Sequence, residues 1–215
     1  MFQVIDYEGW DRKEIYERFR DYTYNLTVEL DVEMFLEFIR GKGYKTYPAL
    51  CWCIARTVNQ VRDYRYALVD GKVGYYDVLA PCYTLMRKGD GHLFTHMVTD
   101  YSEDFPEFYQ RFLEDKEKAE EGDSLYYYGG PKPGCVDVTV LPGTYYSSIS
   151  YVRPQRFIAA DPENQSYVPF ITVGKYQEKG GRMMMPVTGN FNHAVNDGYH
   201  AEEFFRKLQE NLDNM

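Results

Sequence analysis

Residues 192–200 concentrate the side chains of this chain that could do chemistry. The first interpretation makes His193 a general base, because a neutral imidazole is well suited to remove a proton near pH 7. The second places His193, Asp197 and His200 on one helical face that binds a metal, although the turn-forming residues 196–198 argue against a continuous helix there. The third is a packed histidine whose ring only satisfies backbone groups.

Two predicted elements flank this stretch and would position it. Residues 182–188 form a short apolar run entered by Gly180 and Gly181, which is typical of a buried strand. Residues 199–212 place apolar side chains at spacings of three and four, which predicts an amphipathic helix. His193 is therefore expected at a strand end, where a rigid scaffold usually presents catalytic side chains.

The rest of the chain alternates between helical and extended patterns. Hydrophobic periodicity and turn signals predict helices over 11–21, 32–41, 48–61 and 104–121, with Asp31 as a cap and Gly41 as an end. They predict strands over 23–30, 65–69, 73–76, 80–86, 92–98, 136–141, 145–151, 168–177 and 183–192. This mixed order predicts an α/β fold, a two-layer sandwich in which helices pack on a mixed β-sheet.

Composition limits the classes of function. A length of 215 residues suits a single domain over 1–215, and a net charge of −9 argues against nucleic acid as the main partner. No apolar run is long enough to span a membrane and the N-terminus lacks a signal-peptide pattern, so we expect no membrane partner and a cytoplasmic location. The four cysteines lack zinc or disulfide spacing, and we expect buried thiols and no metal.

Residues 192–200 resemble the His-His-x-x-x-Asp-Gly signature of the chloramphenicol acetyltransferase family. Segments that resemble the same family follow in the family's order, at 10–14, 24–31, 44–48, 70–77, 81–84 and 172–176. The resemblance implies a chloramphenicol acetyltransferase-like fold and homotrimers with active sites between neighbouring subunits. It also implies acetyl transfer from acetyl-CoA, as co-substrate, to a hydroxyl of a small acceptor. Chloramphenicol is the best single guess for this acceptor, with antibiotic resistance as the consequence.

The resemblance also assigns roles to residues. His193 matches the family's general base, and Asn192 stands in place of the signature's first histidine. Aligning residues 138–142 on the family's serine segment makes Thr139 the hydroxyl donor to the oxyanion. A rival alignment on residues 145–150 puts Leu141 there instead and leaves the oxyanion without this donor.

Further family positions are matched away from the histidine. Asp197 matches an aspartate that pairs with an arginine, here Arg12, and is expected to support the site structurally. Four residues match the acceptor pocket and four match the CoA channel. The acceptor residues are Phe19, Tyr24, Phe94 and Thr172, and the CoA residues are Lys45, Tyr47, Lys175 and Tyr176.

Two other functions stay open at this point. One is a homologue that binds a ligand or partner without chemistry, which Leu141 in the oxyanion position would favour. The other is a hydrolase in which Ser147 or Ser148 acts with His193 through a covalent acyl-enzyme. An insertion at residues 153–162 lies beside the expected acceptor wall.

Overall fold

The structure, a computed structural model, describes residues 1–89, 92–151 and 161–215. Its helices and strands alternate as the sequence pattern predicts. The helices are α1 (Lys13–Phe19), α2 (Glu33–Lys42), α3 (Thr46–Asn59), α4 (Phe105–Glu120) and α5 (Gly198–Asp213), with a 3₁₀ turn at Arg62–Tyr64. The strands are β1 (Phe2–Val4), β2 (Thr23–Asp31), β3 (Tyr66–Val69), β4 (Lys72–Tyr76), β5 (Ala80–Met86), β6 (Phe94–Val98), β7 (Cys135–Leu141), β8 (Gln165–Ser166), β9 (Phe170–Gly174), β10 (Gln177–Lys179) and β11 (Arg182–Asn192).

Within the described ranges, seven strands form one large mixed sheet. Its order is β10-β11-β9-β7-β5-β6, and β2 lies along the other edge of β11. The pairs β5–β7 and β7–β9 are parallel, whereas the remaining pairs are antiparallel. Strand β11 pairs with β2 from Met184 to Asn192, so its last residue is held by a ladder immediately before His193.

Helices cover one face of this sheet and form the main core with it. Val138, Ile171 and Val187 on the central strands are fully or almost fully buried beneath the helices. Helix α3 is apolar on nearly all sides because it lies between the sheet and the other helices. The mixed sheet with packed helices confirms the predicted two-layer α/β fold.

Side chains alternate along a strand, so the neighbours of these core residues point to the opposite face. No helix of the described residues covers that face, which we call the helix-free face. Thr139, Thr172, Thr188 and Thr27 lie in register across four adjacent strands on that face. The hydroxyls of Thr27 and Thr188 are hydrogen bonded at 2.7 Å, whereas Oγ1 of Thr172 is buried without a partner among the described residues. The helix-free face is therefore polar and rich in hydroxyl groups.

The strand predicted over 145–151 is wrong, because this segment is coil with one bend at Ser147. Its alternating aromatic and serine residues imitate a strand pattern, but other contacts fix it. Lys175 N donates to Thr144 O at 2.8 Å, and the Tyr146 hydroxyl donates to Thr172 O at 2.7 Å. The segment is thereby tied to the helix-free face of β9 instead of joining the sheet.

A smaller sheet, β1-β4-β3-β8, packs with α1 beside the main core. Its β3–β4 hairpin turns at Asp70 and Gly71, whose φ angles are 49° and 70°, as the Asp-Gly signal predicts. Helix α2 continues past the predicted end to Lys42, where Gly43 with φ of 72° caps it.

One segment singled out in the sequence lies mostly outside the described residues. The insertion at residues 153–162 lies outside the described residues except for its last two positions. Across the ranges that the structure describes, no helix has the length and apolarity needed to cross a bilayer.

Candidate active site

His193 lies one residue beyond the end of β11, in the turn that leads into α5. Its backbone N–H donates to Tyr22 O at 2.8 Å, which extends the β2–β11 ladder by one bond. The Phe19 ring stacks on the imidazole with centroids 4.6 Å apart and planes 18° apart. The Tyr24 ring meets it edge-on at 5.8 Å. Two of the four residues predicted for the acceptor pocket, Phe19 and Tyr24, thus contact the histidine.

The imidazole is open to solvent on one edge. The His193 side chain is 41% exposed, although its Nδ1 atom is buried and makes no hydrogen bond to a described residue. The exposed surface therefore belongs to the opposite edge, which carries Nε2. This geometry disagrees with the interpretation of His193 as a packed core histidine, and it leaves Nε2 free to approach a substrate.

Arg12 clamps the turn that carries the histidine. Its guanidinium donates to both carboxylate oxygens of Asp197, at 2.6 and 2.9 Å, and its Nε donates to Ala194 O at 2.7 Å. The structure thus contains the bidentate pair that the resemblance implies. Asp197 Oδ1 also lies 3.3 Å from His193 Nδ1. The hydrogen bond from Arg12 holds the pKa of Asp197 below its usual range, against the opposing effect of burial.

Asn192 holds the other side of the same turn. Its side chain is buried, donates to Arg20 O at 2.9 Å and accepts from Ala194 N at 2.8 Å. An amide can serve both contacts because it carries a donor and an acceptor. The residue that replaces the first histidine of the signature therefore fixes the backbone on which His193 is mounted.

The structure does not place residues 193, 197 and 200 on one helical face. Helix α5 begins only at Gly198, so His193 lies outside it, and His200 Nδ1 accepts a hydrogen bond from Asp197 N at 3.0 Å. Across the parts of the chain that are described, no group of three or more histidine, cysteine, aspartate or glutamate side chains could hold a metal ion.

We predict that Asp197→Asn destabilises the protein, because Asp197 has a structural role and does not carry a proton in the reaction. Arg12 is only 13% exposed, so losing its partner leaves a largely buried cation with one weaker acceptor. Because Asp197 itself is 37% exposed, solvent screens part of the loss. We expect about 1–2 kcal/mol in the free energy of unfolding, measured by denaturant titration, with activity falling through misplacement of His193.

The pH dependence of this effect has a definite sign. The pKa of Asp197 is lower in the folded state than in the unfolded state, where it is about 3.9. Its contribution to the free energy of unfolding is therefore complete above the unfolded-state pKa and is lost as pH falls through the folded-state pKa. The matched control is Glu210→Gln, which breaks a pair with Arg206 that is 54% exposed on both sides. Equal losses in the free energy of unfolding for the two variants at pH 7 would contradict a stabilising role for the Arg12–Asp197 pair.

Three other predicted site residues lie away from the histidine. Thr139 on β7 and Thr172 on β9 are register partners on the helix-free face. Phe94, 43% exposed, begins the edge strand β6. The Thr139 hydroxyl makes no hydrogen bond to a described residue and stays available as a donor.

Thr139 and His193 do not meet within one chain. His193 lies five residues beyond Thr188, which is about 16 Å along the strand, and Thr139 lies two strands from Thr188, which is about 10 Å across the sheet. A hydroxyl donor and a base acting on one small group need to be within a few ångströms of it. If these two residues act together, they belong to different copies of the chain.

The four residues predicted for CoA divide into two kinds. Lys45 and Lys175 are exposed, at the start of α3 and just after β9. Tyr47 donates its hydroxyl to Thr84 O at 2.9 Å and packs edge-on against core rings. Tyr176 is partly buried against the main core. The lysines therefore offer exposed positive charge, whereas the tyrosines offer ring surface.

Ser147 and Ser148, the candidate nucleophiles of a hydrolase, line an open recess of about 610 Å³ on the helix-free face with Asn25 and Thr27. His193 is not among its lining residues. Within one chain, the recess therefore lacks the histidine base that a serine nucleophile would need.

Sequence reasoning missed one cluster on the same face as Thr139. Asp137 lies beside Cys82 in the β5–β7 register, and Cys82 Sγ is 3.7 Å from His96 Nδ1. His96 in turn stacks on Tyr126 at 5.0 Å. The available signal was the charge of Asp137 inside the apolar strand of residues 135–141, at the same alternation as Thr139.

Comparisons with known proteins agree with this architecture. A family model described as chloramphenicol acetyltransferase matches residues 1–209. A chloramphenicol acetyltransferase of Clostridium perfringens is 34% identical over 218 residues, covering 99% of this chain and 95% of the relative. One from Staphylococcus aureus is 29% identical over 212 residues, covering 97% and 95%. A solved chloramphenicol acetyltransferase structure superimposes with a TM-score of 0.83 at 24% identity, covering 99% of this chain and all of that one.

These matches extend over almost the whole chain and include its fold. The protein is an acetyltransferase. It belongs to the chloramphenicol acetyltransferase family, which confirms the resemblance read from the signature at residues 192–200.

Proposed function

We propose that this chain transfers the acetyl group of acetyl-CoA to a hydroxyl of a small acceptor, with chloramphenicol as the best single candidate. The observation that carries the proposal is the half-exposed His193 imidazole, mounted on a turn that Arg12 and Asn192 hold from both sides. The named activity of the relatives supplies the acceptor and the reaction. We also propose a cytoplasmic location, because acetyl-CoA is available there.

In this proposal, His193 Nε2 removes the proton of the acceptor hydroxyl. The alcohol oxygen then attacks the thioester carbonyl carbon, and the carbonyl becomes an oxyanion that the Thr139 hydroxyl stabilises. Collapse of this intermediate breaks the carbon–sulfur bond, and the imidazolium returns its proton to the CoA thiolate. Asp197 takes no proton, because its carboxylate is bound by Arg12 and faces the other ring nitrogen.

The active site is completed between two copies of the chain. One copy supplies His193 with Phe19 and Tyr24, and its neighbour supplies Thr139 and Thr172 from the helix-free face. The separation of the two groups within one chain supports this division. A head-to-tail contact forms a ring when the rotation between copies closes, and we propose the homotrimer of the family as that ring.

Two groups of residues would bind the two substrates. Lys45 and Lys175 are exposed cations on an acidic protein and would attract the phosphates of CoA, while Tyr47 and Tyr176 would border the same channel. Phe19, Tyr24 and Phe94 give an aromatic acceptor wall that suits a hydrophobic alcohol. Tyr24 keeps its proton, because burial and the nearby Asp197 raise its pKa to about 12.

The direct test measures release of the CoA thiol from acetyl-CoA when chloramphenicol is added to the purified protein. We expect thiol release that depends on the acceptor and an O-acetylated product by mass spectrometry. Acetyl-CoA consumption at the same rate without any alcohol, or a covalent acyl-enzyme that forms without CoA, would contradict the proposal.

A further inference from the structure

Asp137 faces the part of the molecule where the proposed acceptor binds. Its neighbours Val136 and Val138 point into the core, so Asp137 projects from the helix-free face together with Thr139. The two Cα atoms are two residues apart on one strand, or about 7 Å. A carboxylate therefore lies beside the hydroxyl that is proposed to stabilise the oxyanion.

No described residue compensates the charge of this carboxylate with a cation. Asp137 forms no ion pair with a lysine or arginine of the described ranges, and its close polar neighbours are Cys82 and His96. Burial raises the pKa of the Cys82 thiol and lowers that of the His96 imidazole, so both groups are neutral at pH 7. A neutral thiol is a weak donor and does not replace a cation.

The carboxyl group of Asp137 is accessible but has many protein atoms around it. Surrounding protein atoms desolvate the carboxyl group and thereby raise its pKa, with smaller opposing effects from Cys82 and His96. The residue is nevertheless exposed in the single chain, so solvent or a ligand can reach it. An accessible carboxylate that protein atoms desolvate and that has no cationic partner is a candidate for binding a ligand.

Aromatic rings adjoin the carboxylate. The His96 ring stacks on Tyr126 with planes 20° apart, and Phe94, predicted to line the acceptor pocket, meets His96 edge-on at 5.5 Å. Aromatic faces attract cations through their quadrupole, and a carboxylate adds a charge-assisted hydrogen bond. Together these groups have the chemistry that recognises an ammonium ion.

We propose that Asp137 is a specificity-determining residue that binds an ammonium group of the acceptor, so that hydroxylated amines are the preferred acceptors. This inference rests on the proposed function, because it assigns the acceptor class of the same site. The ammonium would contact Asp137 and the face of His96 while the hydroxyl of the same molecule meets His193 of the neighbouring subunit. Asp137 acts on binding and takes no part in proton transfer.

The test compares two acceptors that share one diol. The first is chloramphenicol, whose nitrogen carries a neutral acyl group, and the second is its free amine, from which that acyl group is removed. At pH 7 the wild type should show a higher kcat/KM for the amine, measured by thiol release with mass spectrometry to identify O-acetylation. Asp137→Asn should lower kcat/KM for the amine by about 10- to 100-fold, mostly by raising KM. It should change kcat/KM for chloramphenicol by less than about threefold.

Glu117→Gln is the matched control, because it removes the same charge from an exposed position on α4 without touching the helix-free face. It should leave kcat/KM for both acceptors unchanged. No amine preference in the wild type would overturn the inference. So would equal losses on both acceptors in Asp137→Asn, or a smaller oligomer for that variant, since Asp137 would then pair across the subunit interface.

Failure of this inference can be told apart from failure of the proposed function. A wild type that acetylates chloramphenicol and ignores the amine refutes only the role of Asp137. A wild type that releases no thiol with either acceptor refutes the acetyl transfer itself and the inference with it.

Discussion

His193→Ala should lower kcat by about 10²- to 10⁴-fold, the usual contribution of a positioned general base. Phe19 and Tyr24 contact the ring, and neither can accept a proton from an alcohol near pH 7. Asp197 lies on the Nδ1 side, with its carboxylate bound by Arg12. The loss should appear in kcat more than in KM, because the base acts in the transition state. Steady-state thiol release at saturating acetyl-CoA measures it.

Folding should be retained in this variant, since the His193 ring is 41% exposed and its removal opens no core cavity. His92→Asn is the matched control, because His92 is exposed in a turn with φ of 74°, a conformation that asparagine tolerates. The control should keep full activity. A His193→Ala enzyme within threefold of the wild type would remove the general base from the mechanism.

Thr139→Ala should lower kcat by about 10²- to 10³-fold, because it removes one donor to the oxyanion. The Thr139 side chain is partly exposed and makes no hydrogen bond to a described residue, so its hydroxyl has no structural partner to lose. Melting temperature should therefore change little while turnover falls. Stopped assays at saturating substrates would separate this effect from weaker binding.

Thr139→Ser provides the matched control, since it keeps the hydroxyl and removes only a methyl group. It should retain most of the activity that Thr139→Ala loses. Equal activity in all three proteins would favour the rival alignment, in which Leu141, also on the helix-free face, occupies the oxyanion position.

The sequence predicts the fold well where periodicity and turn chemistry agree. The β3–β4 hairpin at Asp70 and Gly71 and the final helix follow their patterns closely, because local rules and burial specify the same element there. The strand prediction for residues 145–151 fails, because alternation alone does not supply a strand with a hydrogen-bonding partner. Side-chain bonds to β9 decide that segment, and such long-range contacts leave no local signal.

The site is predictable in its residues and much less so in its geometry. The signature names His193 and Asp197, and the structure brings Arg12 to them across 185 sequence positions. The pattern gives no sign that Asn192 would use both ends of its amide to hold the turn. Nor does it show Asp137 without a cation, because compensation of a charge depends on neighbouring strands and not on adjacent sequence positions.

The proposal that each active site combines two subunits has one direct test. Chains carrying His193→Ala and chains carrying Thr139→Ala are co-expressed in equal amounts, purified together and assayed for acetyl-CoA-dependent thiol release. In a ring of randomly mixed subunits, about one interface in four joins an intact His193 to an intact Thr139. We therefore expect about a quarter of wild-type activity, well above that of either variant alone, whereas activity no higher than that of the separate variants would contradict a site shared between copies.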